Sequence, residues 1–340
     1  MNQSRATAII LVGLLLTLSL VSLRAADTIP TRLSDEAYWK LIVDLSEIPP
    51  VDYPYAVFTG NEPGYQEMLP ELTRLIAPGG TYLGVGPEQN YTYIVALKSK
   101  IGFLIDIRRD QMLQHLMYKA LFEMSTDRPD FVGKLFSRRR PVQLTANSSV
   151  QEIFATYAPV SADTAISDSY LREILNRLKT THGFTLTAGD EQRIRFIYQI
   201  FAREGVVNFM SSQESPGYTR NMIQTDAMGK NWSYLATNEN FNWVRDMFTK
   251  NLIIPVVGDF TGPKAVRAVG RYLRDHGAIV NVFYVSNVED YIQQSWSPYT
   301  ANIASLPIDS SSSFVRWTIS SRPPWINSIR QFINSAGQIR

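Results

Sequence analysis

The chain has 340 residues, 45% of them hydrophobic and 19% charged, which is enough apolar mass for one large α/β domain with insertions or for two small domains. A formal net charge of +2 provides no global basic field for nucleic acid. The absence of cysteine excludes disulfides, thiol catalysis, cysteine zinc sites and anchoring through a lipidated cysteine.

At the start, Arg5 precedes an uncharged stretch from Ala6 to Leu23, followed by Arg24-Ala25-Ala26. This predicts a secretory signal over residues 1–25, or an uncleaved N-terminal anchor built on residues 6–23. Cleavage after Ala25 removes Arg5 and Arg24 and no acid, leaving 31 basic and 31 acidic residues. No later segment is long and apolar enough to span a bilayer, so membrane contact is expected only through this segment. The rest is expected to be exported, as a periplasmic or secreted protein.

Ser34 to Leu45 predicts a helix capped by Ser34, with acids in its first turn. Pro49, Pro50 and Pro54 enforce an extended stretch, and Tyr65 to Ile76 predicts a second helix stopped by Pro78-Gly79-Gly80. Thr81 to Gly86 is a short apolar strand running into a glycine turn, and Asn90 to Leu97 starts a helix. Ile101 to Ile107 is an almost purely apolar run, as in a central parallel strand, and carries Asp106 near its end.

From Asp110 to Glu123 the apolar residues recur at helical spacing, which predicts an amphipathic helix with His115 off the apolar stripe, solvated or supporting a neighbour. Ser137 to Pro141 (SRRRP) reads as a solvated basic turn. Residues 150–205 are helical by pattern, an insertion over one sheet edge, and 206–240 are loop-rich, with an extended piece around Met222 placed to pair with the sheet.

Strand grammar returns at Leu252 to Val257, followed by Gly258-Asp259-Phe260 and a helix over 264–275 that Pro263 opens and Gly277 stops. Ile279 to Val285 is a further strand, followed by Ser286-Asn287 and a helix beginning at Glu289–Gln294; Phe314 to Ile319 is the last strand candidate. The three histidines, His115, His182 and His276, have no metal-ligand spacing, and no metal site is expected.

Strand, glycine turn, helix and a strand ending in an acid is the order of a nucleotide-binding βαβ unit. Gly84 and Gly86 permit a tight turn and close approach of a ligand, and the next helix offers free N–H groups. Asp106, 22 residues after Gly84, is placed to accept from ribose hydroxyls. The dinucleotide fingerprint is absent, because its third glycine position is Gln89, and no P-loop is present.

TYLGVGPEQN with FLIDIRR resembles the first two motifs of class I S-adenosylmethionine-dependent methyltransferases, and residues 252–287 resemble their fourth and fifth strands. The strings GVGPEQNYTYI, DIRRDQMLQHLMYKALFEMS, WSYLATNENF, VVGDF and FYVSNVEDYI resemble more closely a bacterial family of methyltransferase-like proteins without assigned function, over roughly residues 80–290. The resemblance implies a Rossmann-like α/β fold with a mainly parallel sheet and a large helical insertion. Together with the residue patterns above, this divides the chain into a signal or anchor (1–25) and one domain (27–340), comprising an N-terminal helical extension (31–78), a core (80–107 and 252–320) and a helical insertion (110–205).

The resemblance also implies S-adenosylmethionine as cofactor, held by Gly84, Gly86, Glu88, Gln89, Asn90, Asp106 and Arg108, with Asp259 as a catalytic base and Ser286 and Asn287 facing a small-molecule acceptor. Two positions depart from the methyltransferase pattern: Tyr82 replaces its acid and Glu88 its third glycine. Glu88-Gln89-Asn90 therefore reads either as a ligand contact or as helix capping, and Asp259 either as a general base or substrate contact or as a cap for the helix after Pro263. For Asp106 the choice lies between a ligand and a salt bridge to Arg108 or Arg109. Glu88, Asp106 and Asp259 are expected to share one crevice. Two functions fit these motifs: a methyltransferase-like enzyme, or a non-catalytic exported protein that uses the same fold to bind another ligand or a partner.

Overall fold

The computed structural model describes residues 27–48, 58–208, 217–292, 295–318 and 321–336. The signal or anchor expected over residues 1–25 lies outside the described residues, as does the proline-rich stretch from Pro49 to Pro54. Among the described residues, no helix is long and apolar enough to cross a membrane.

One six-stranded sheet organises the chain: β1 (Thr81–Gly84), β2 (Ile101–Asp106), β3 (Ile253–Val257), β4 (Val280–Ser286), β5 (Ser313–Thr318) and β6 (Ser321–Ser328), in the spatial order β3-β2-β1-β4-β5-β6. The first five strands pair in parallel and β6 is antiparallel to β5. The four expected core strands thus lie in one mainly parallel sheet, consistent with a Rossmann-like α/β fold. All six residues of β2 are buried, as a central strand covered on both faces requires. The strands around 252–287 are the third and fourth of the chain, flanking β2 and β1 respectively, not a fourth and fifth.

The N-terminal helix α1 (Asp35–Leu45) starts where Ser34 Oγ accepts from the Ala37 amide at 3.1 Å, and it buries Tyr38, Ile42 and Leu45 along one stripe. A 3₁₀ turn (Tyr65–Met68) leads into α2 (Leu69–Leu75), and α3 (Gln89–Ala96) follows the glycine turn. Among the described residues, seven α-helices run between β2 and β3: α4 (Arg109–Met124), α5 (Arg128–Leu135), α6 (Val150–Tyr157), α7 (Thr164–Asn176), α8 (Ala188–Asn208), α9 (Gly217–Ile223) and α10 (Asn238–Thr249). The C-terminal part adds α11 (Ala265–Asp275), α12 (Trp296–Ala304) and α13 (Ile329–Ala336).

Several expectations are corrected. Met222 is a buried helical residue in α9 and pairs with no strand. The helix expected at Glu289–Gln294 is a 3₁₀ turn at Val288–Asp290, with α12 starting only at Trp296 and residues 293–294 outside the described part. The edge strand β6 was hidden by Pro323-Pro324, a pair that a sheet tolerates at its edge.

Helix α4 is not amphipathic in its setting. It is buried continuously from Gln111 to Phe122, because the inserted helices cover its outer face. Lys119 within it is satisfied by Glu123 (2.7 Å), the Phe248 carbonyl and Asn251 Oδ1 (both 2.6 Å). The basic turn is not simply solvated either: Arg138 is buried and donates to the Ala202 carbonyl at 3.0 Å, while Arg140 grips Asp127 with two hydrogen bonds. Only Arg139 is largely exposed, and it pairs with Asp163.

Candidate functional site

The chain builds outward from β1 through β2 to β3, then returns to place β4 and β5 on the other side of β1. At such a reversal the loops after neighbouring strands diverge and leave a crevice at the carboxyl ends. A cleft of about 370 Å³ lies there. Its walls come from four strand ends: Val85 to Pro87 and Gln89 after β1, Asp106 to Arg108 at β2, Gly258 to Thr261 after β3, and Tyr284 with Ser286 to Val288 at β4. Gly60 and Asn61 close one side, and Tyr291, Ile292 and Ser295 lie toward the β4 side.

The glycine turn is held from behind by Asn90. Its Nδ2 donates to the carbonyls of Val85 (2.9 Å), Gly86 (3.1 Å) and Pro87 (2.7 Å), and its Oδ1 accepts from Tyr82 Oη at 2.8 Å. Tyr82, where a methyltransferase has an acid, is therefore a brace for the turn. A Cβ on Gly84 would lie 1.9 Å from Asn90 Oδ1, so close packing demands glycine there. Gly86 is glycine for a different reason: its φ of 77° is left-handed, while a Cβ would meet nothing within 4 Å.

His115 braces the same turn. It is buried, with Nδ1 at 2.6 Å from Tyr91 Oη and Nε2 at 3.1 Å from the Gly86 carbonyl, so it is not solvated. Burial lowers its pKa from 6.5 to about 4, so the folded protein keeps it neutral. Between those values the unfolded chain binds the proton and the folded one does not, and stability should fall as pH falls from 6.5 toward 4. His115→Gln, compared with wild type by urea denaturation at pH 7 and pH 4.5, should lose less stability on acidification; an equal loss would show that His115 does not carry this effect.

The expected site residues separate into two groups. Gly86, Gln89, Asp106, Arg108, Asp259, Ser286 and Asn287 all line the cleft. Glu88 and Asn90 do not, and Gly84 lies beneath the turn. Glu88 neither reaches the crevice nor caps α3: it is fully buried, makes no side-chain cap, and its Oε1 accepts from the Gly60 amide at 3.1 Å. Burial raises its pKa to about 8. The crevice expected to hold Glu88, Asp106 and Asp259 thus holds the two aspartates without the glutamate.

Asp106 Oδ1 accepts from the Arg108 amide (2.8 Å) and from its Nη1 (3.4 Å), and the Gly86 amide adds to these bonds. Burial nonetheless raises its pKa, against the lowering effect of Arg108. Arg109 turns away and holds Asp190 with two bonds. Asp259 does not cap α11. Its Oδ1 accepts from the Thr261 amide (2.7 Å) and hydroxyl (2.8 Å), forming a local turn, and its own amide donates to Glu47 Oε1 at 2.7 Å.

The sequence reading missed Glu62. This carboxylate is fully buried behind the cleft wall. Its Oε2 accepts from Gln89 Nε2 (3.1 Å), and its Oε1 accepts from Tyr284 Oη (2.6 Å) and from Ser286 Oγ. Ser286 stands at the end of β4 with a φ of 50°, a left-handed conformation costly for a residue with a side chain. The bond to Glu62 offsets part of that cost. Burial raises the Glu62 pKa, while the three donors pull it down. The one local hint was a single acid inside the turn-rich Gly60-Asn61-Glu62-Pro63-Gly64; its partners lie 27 to 224 residues away.

A model of a domain of unknown function, DUF7790, matches residues 58–338. The chain belongs to the DUF7790 family. The match opens at the segment that carries Gly60 and Glu62 and contains every strand of the DUF7790 sheet and every residue that lines the cleft. No curated protein matches the chain.

Proposed function

We propose that this is an exported methyltransferase-like protein whose cleft takes an S-adenosylmethionine-type or nucleoside ligand. The observation that carries the reading is the meeting of Gly86 and Asp106 at the carboxyl ends of adjacent parallel strands, beside the point where the strand order reverses. The residues present fit such a ligand. The cleft volume of about 370 Å³ lies within the usual ligand range. The Gly86 turn leaves open space for close approach, and the buried Oε1 of Gln89 is an acceptor without a partner.

In this reading Asp106 accepts from ribose hydroxyls, and Arg108 favours its ionised form against the effect of burial. Gln89 and the Gly86 turn hold the amino-acid end, and Ser286 with Asn287 faces the methyl acceptor. The cofactor supplies an electrophilic methyl group when bound. The chain's task is alignment, which needs few catalytic groups. Titrating the purified protein with adenosylmethionine should give micromolar binding, weakened roughly 5- to 150-fold in Asp106→Ala, the loss expected for a buried polar partner left unmade. No heat at millimolar cofactor would remove the reading. A non-catalytic use of the cleft is favoured by one observation: Asp259 commits a carboxylate oxygen to its own turn, where a catalytic base would be free. Binding without methyl transfer to any acceptor would select that second reading.

A further inference from the structure

We infer that the floor of the cleft is a recognition site for an organic cation, organised by Glu62 through Gln89, Tyr284 and Ser286. The inference extends the reading above to the charge of the ligand, and it does not require that ligand to be adenosylmethionine.

Glu62 is a carboxylate withdrawn from water, and its hydrogen-bond partners are two hydroxyls and an amide. Three neutral donors favour the carboxylate form of Glu62 but bring no opposite charge, and burial works against that form, so a cation nearby would stabilise it. No ion pair reaches Glu62 among the described residues. All three of its donors line the cleft, so the negative potential is delivered to the cleft wall. Asp106 and Asp259 add two further carboxylates, and Arg108, the one cation among the described lining residues, is bound to Asp106. A cationic ligand would supply the missing charge.

The chemistry of the wall narrows the class of cation. Gln89 is almost fully buried, with Nε2 committed to Glu62 and Tyr284 and Oε1 buried without a partner beside Gly60. That oxygen lies 2.4 Å from where a Cβ on Gly60 would stand, on the side of the cleft that Gly60 forms. Tyr291, largely exposed, is an aromatic residue lining the cleft. Hydroxyls, an amide oxygen and aromatic rings over a distant carboxylate suit a diffuse sulfonium or substituted ammonium ion. Among the described residues no group of three or more His, Cys, Asp or Glu side chains is placed to hold a metal ion.

The test uses choline and its neutral carbon analogue, 3,3-dimethylbutan-1-ol, titrated by NMR into the full chain and into Glu62→Gln. Wild type should bind choline at least tenfold more tightly than the neutral analogue, and Glu62→Gln should abolish most of that preference. Equal or absent binding of the pair to wild type would overturn the inference, and that comparison stands even if Glu62→Gln does not fold. A charge preference that survives in a folded Glu62→Gln would also overturn it, because the aspartates would then be its source. Choline selectivity with no response to adenosylmethionine would sink only the methyltransferase reading. Adenosylmethionine bound no better than its neutral thioether product, in wild type and variant alike, would sink only the cation site.

Discussion

Glu88→Gln should be about as stable as wild type near pH 5 and more stable by an amount of the order of 4 kcal/mol near pH 9. The sign follows from where the proton sits. In the unfolded chain Glu88 ionises near the usual 4.5, but in the folded protein it holds its proton to about pH 8, because it is buried with one oxygen bonded to the Gly60 amide and the other unpartnered. Between those values unfolding releases a proton, so each pH unit costs the folded state about 1.4 kcal/mol, and above about pH 8 the loss stops. Glutamine keeps the shape of the protonated acid and has no proton to lose. Glu62 and Asp106, also raised, add slope to both proteins, so the difference between wild type and variant isolates Glu88. Urea denaturation from pH 5 to pH 9 measures it; parallel curves would mean that Glu88 is solvated.

Gly84→Ala should destabilise the protein by about 3–5 kcal/mol, well beyond the roughly 1–2 kcal/mol expected for Gly86→Ala. A Cβ at residue 84 would meet Asn90 Oδ1 at 1.9 Å and Tyr82 Oη at 2.9 Å, and both side chains are fully buried. Displacing Asn90 strips the donor from three carbonyls and the acceptor from Tyr82 together. At residue 86 the cost is conformational alone, since the added atom would point into open space. Denaturant titration of the two variants gives the order directly, and equal losses would mean that Asn90 does not hold the turn as described.

The parts of the fold legible in the sequence were those whose signal is local. The runs at Thr81–Gly84, Ile101–Asp106 and Val280–Ser286 are apolar enough to be read as buried strands, and the glycines between the first two mark a turn that glycine alone accommodates. Burial imposed by distant segments was not legible. His115 and Lys119 look solvent-facing along their own helix, and only the inserted helices and the glycine turn bury them. The motif placed Glu88 beside Asp106 and Asp259 in the crevice because it stands in the turn, and of the three it alone is withdrawn from the cleft. Glu62, which stands behind the cleft wall and holds three of its residues, comes from an irregular segment with no periodicity of its own. β6 was missed because its prolines disqualify a central strand but not an edge strand.

Hydrogen–deuterium exchange of the full chain, with and without saturating adenosylmethionine, tests whether the ligand sits in the cleft at the carboxyl ends of β1, β2, β3 and β4. Slowed exchange is expected in the segments 84–90, 106–108, 258–261 and 286–288, with the N-terminal edge of the sheet around Gly79, Lys100 and Gly277 unchanged. No protection anywhere, or protection confined to the opposite edge, would contradict it.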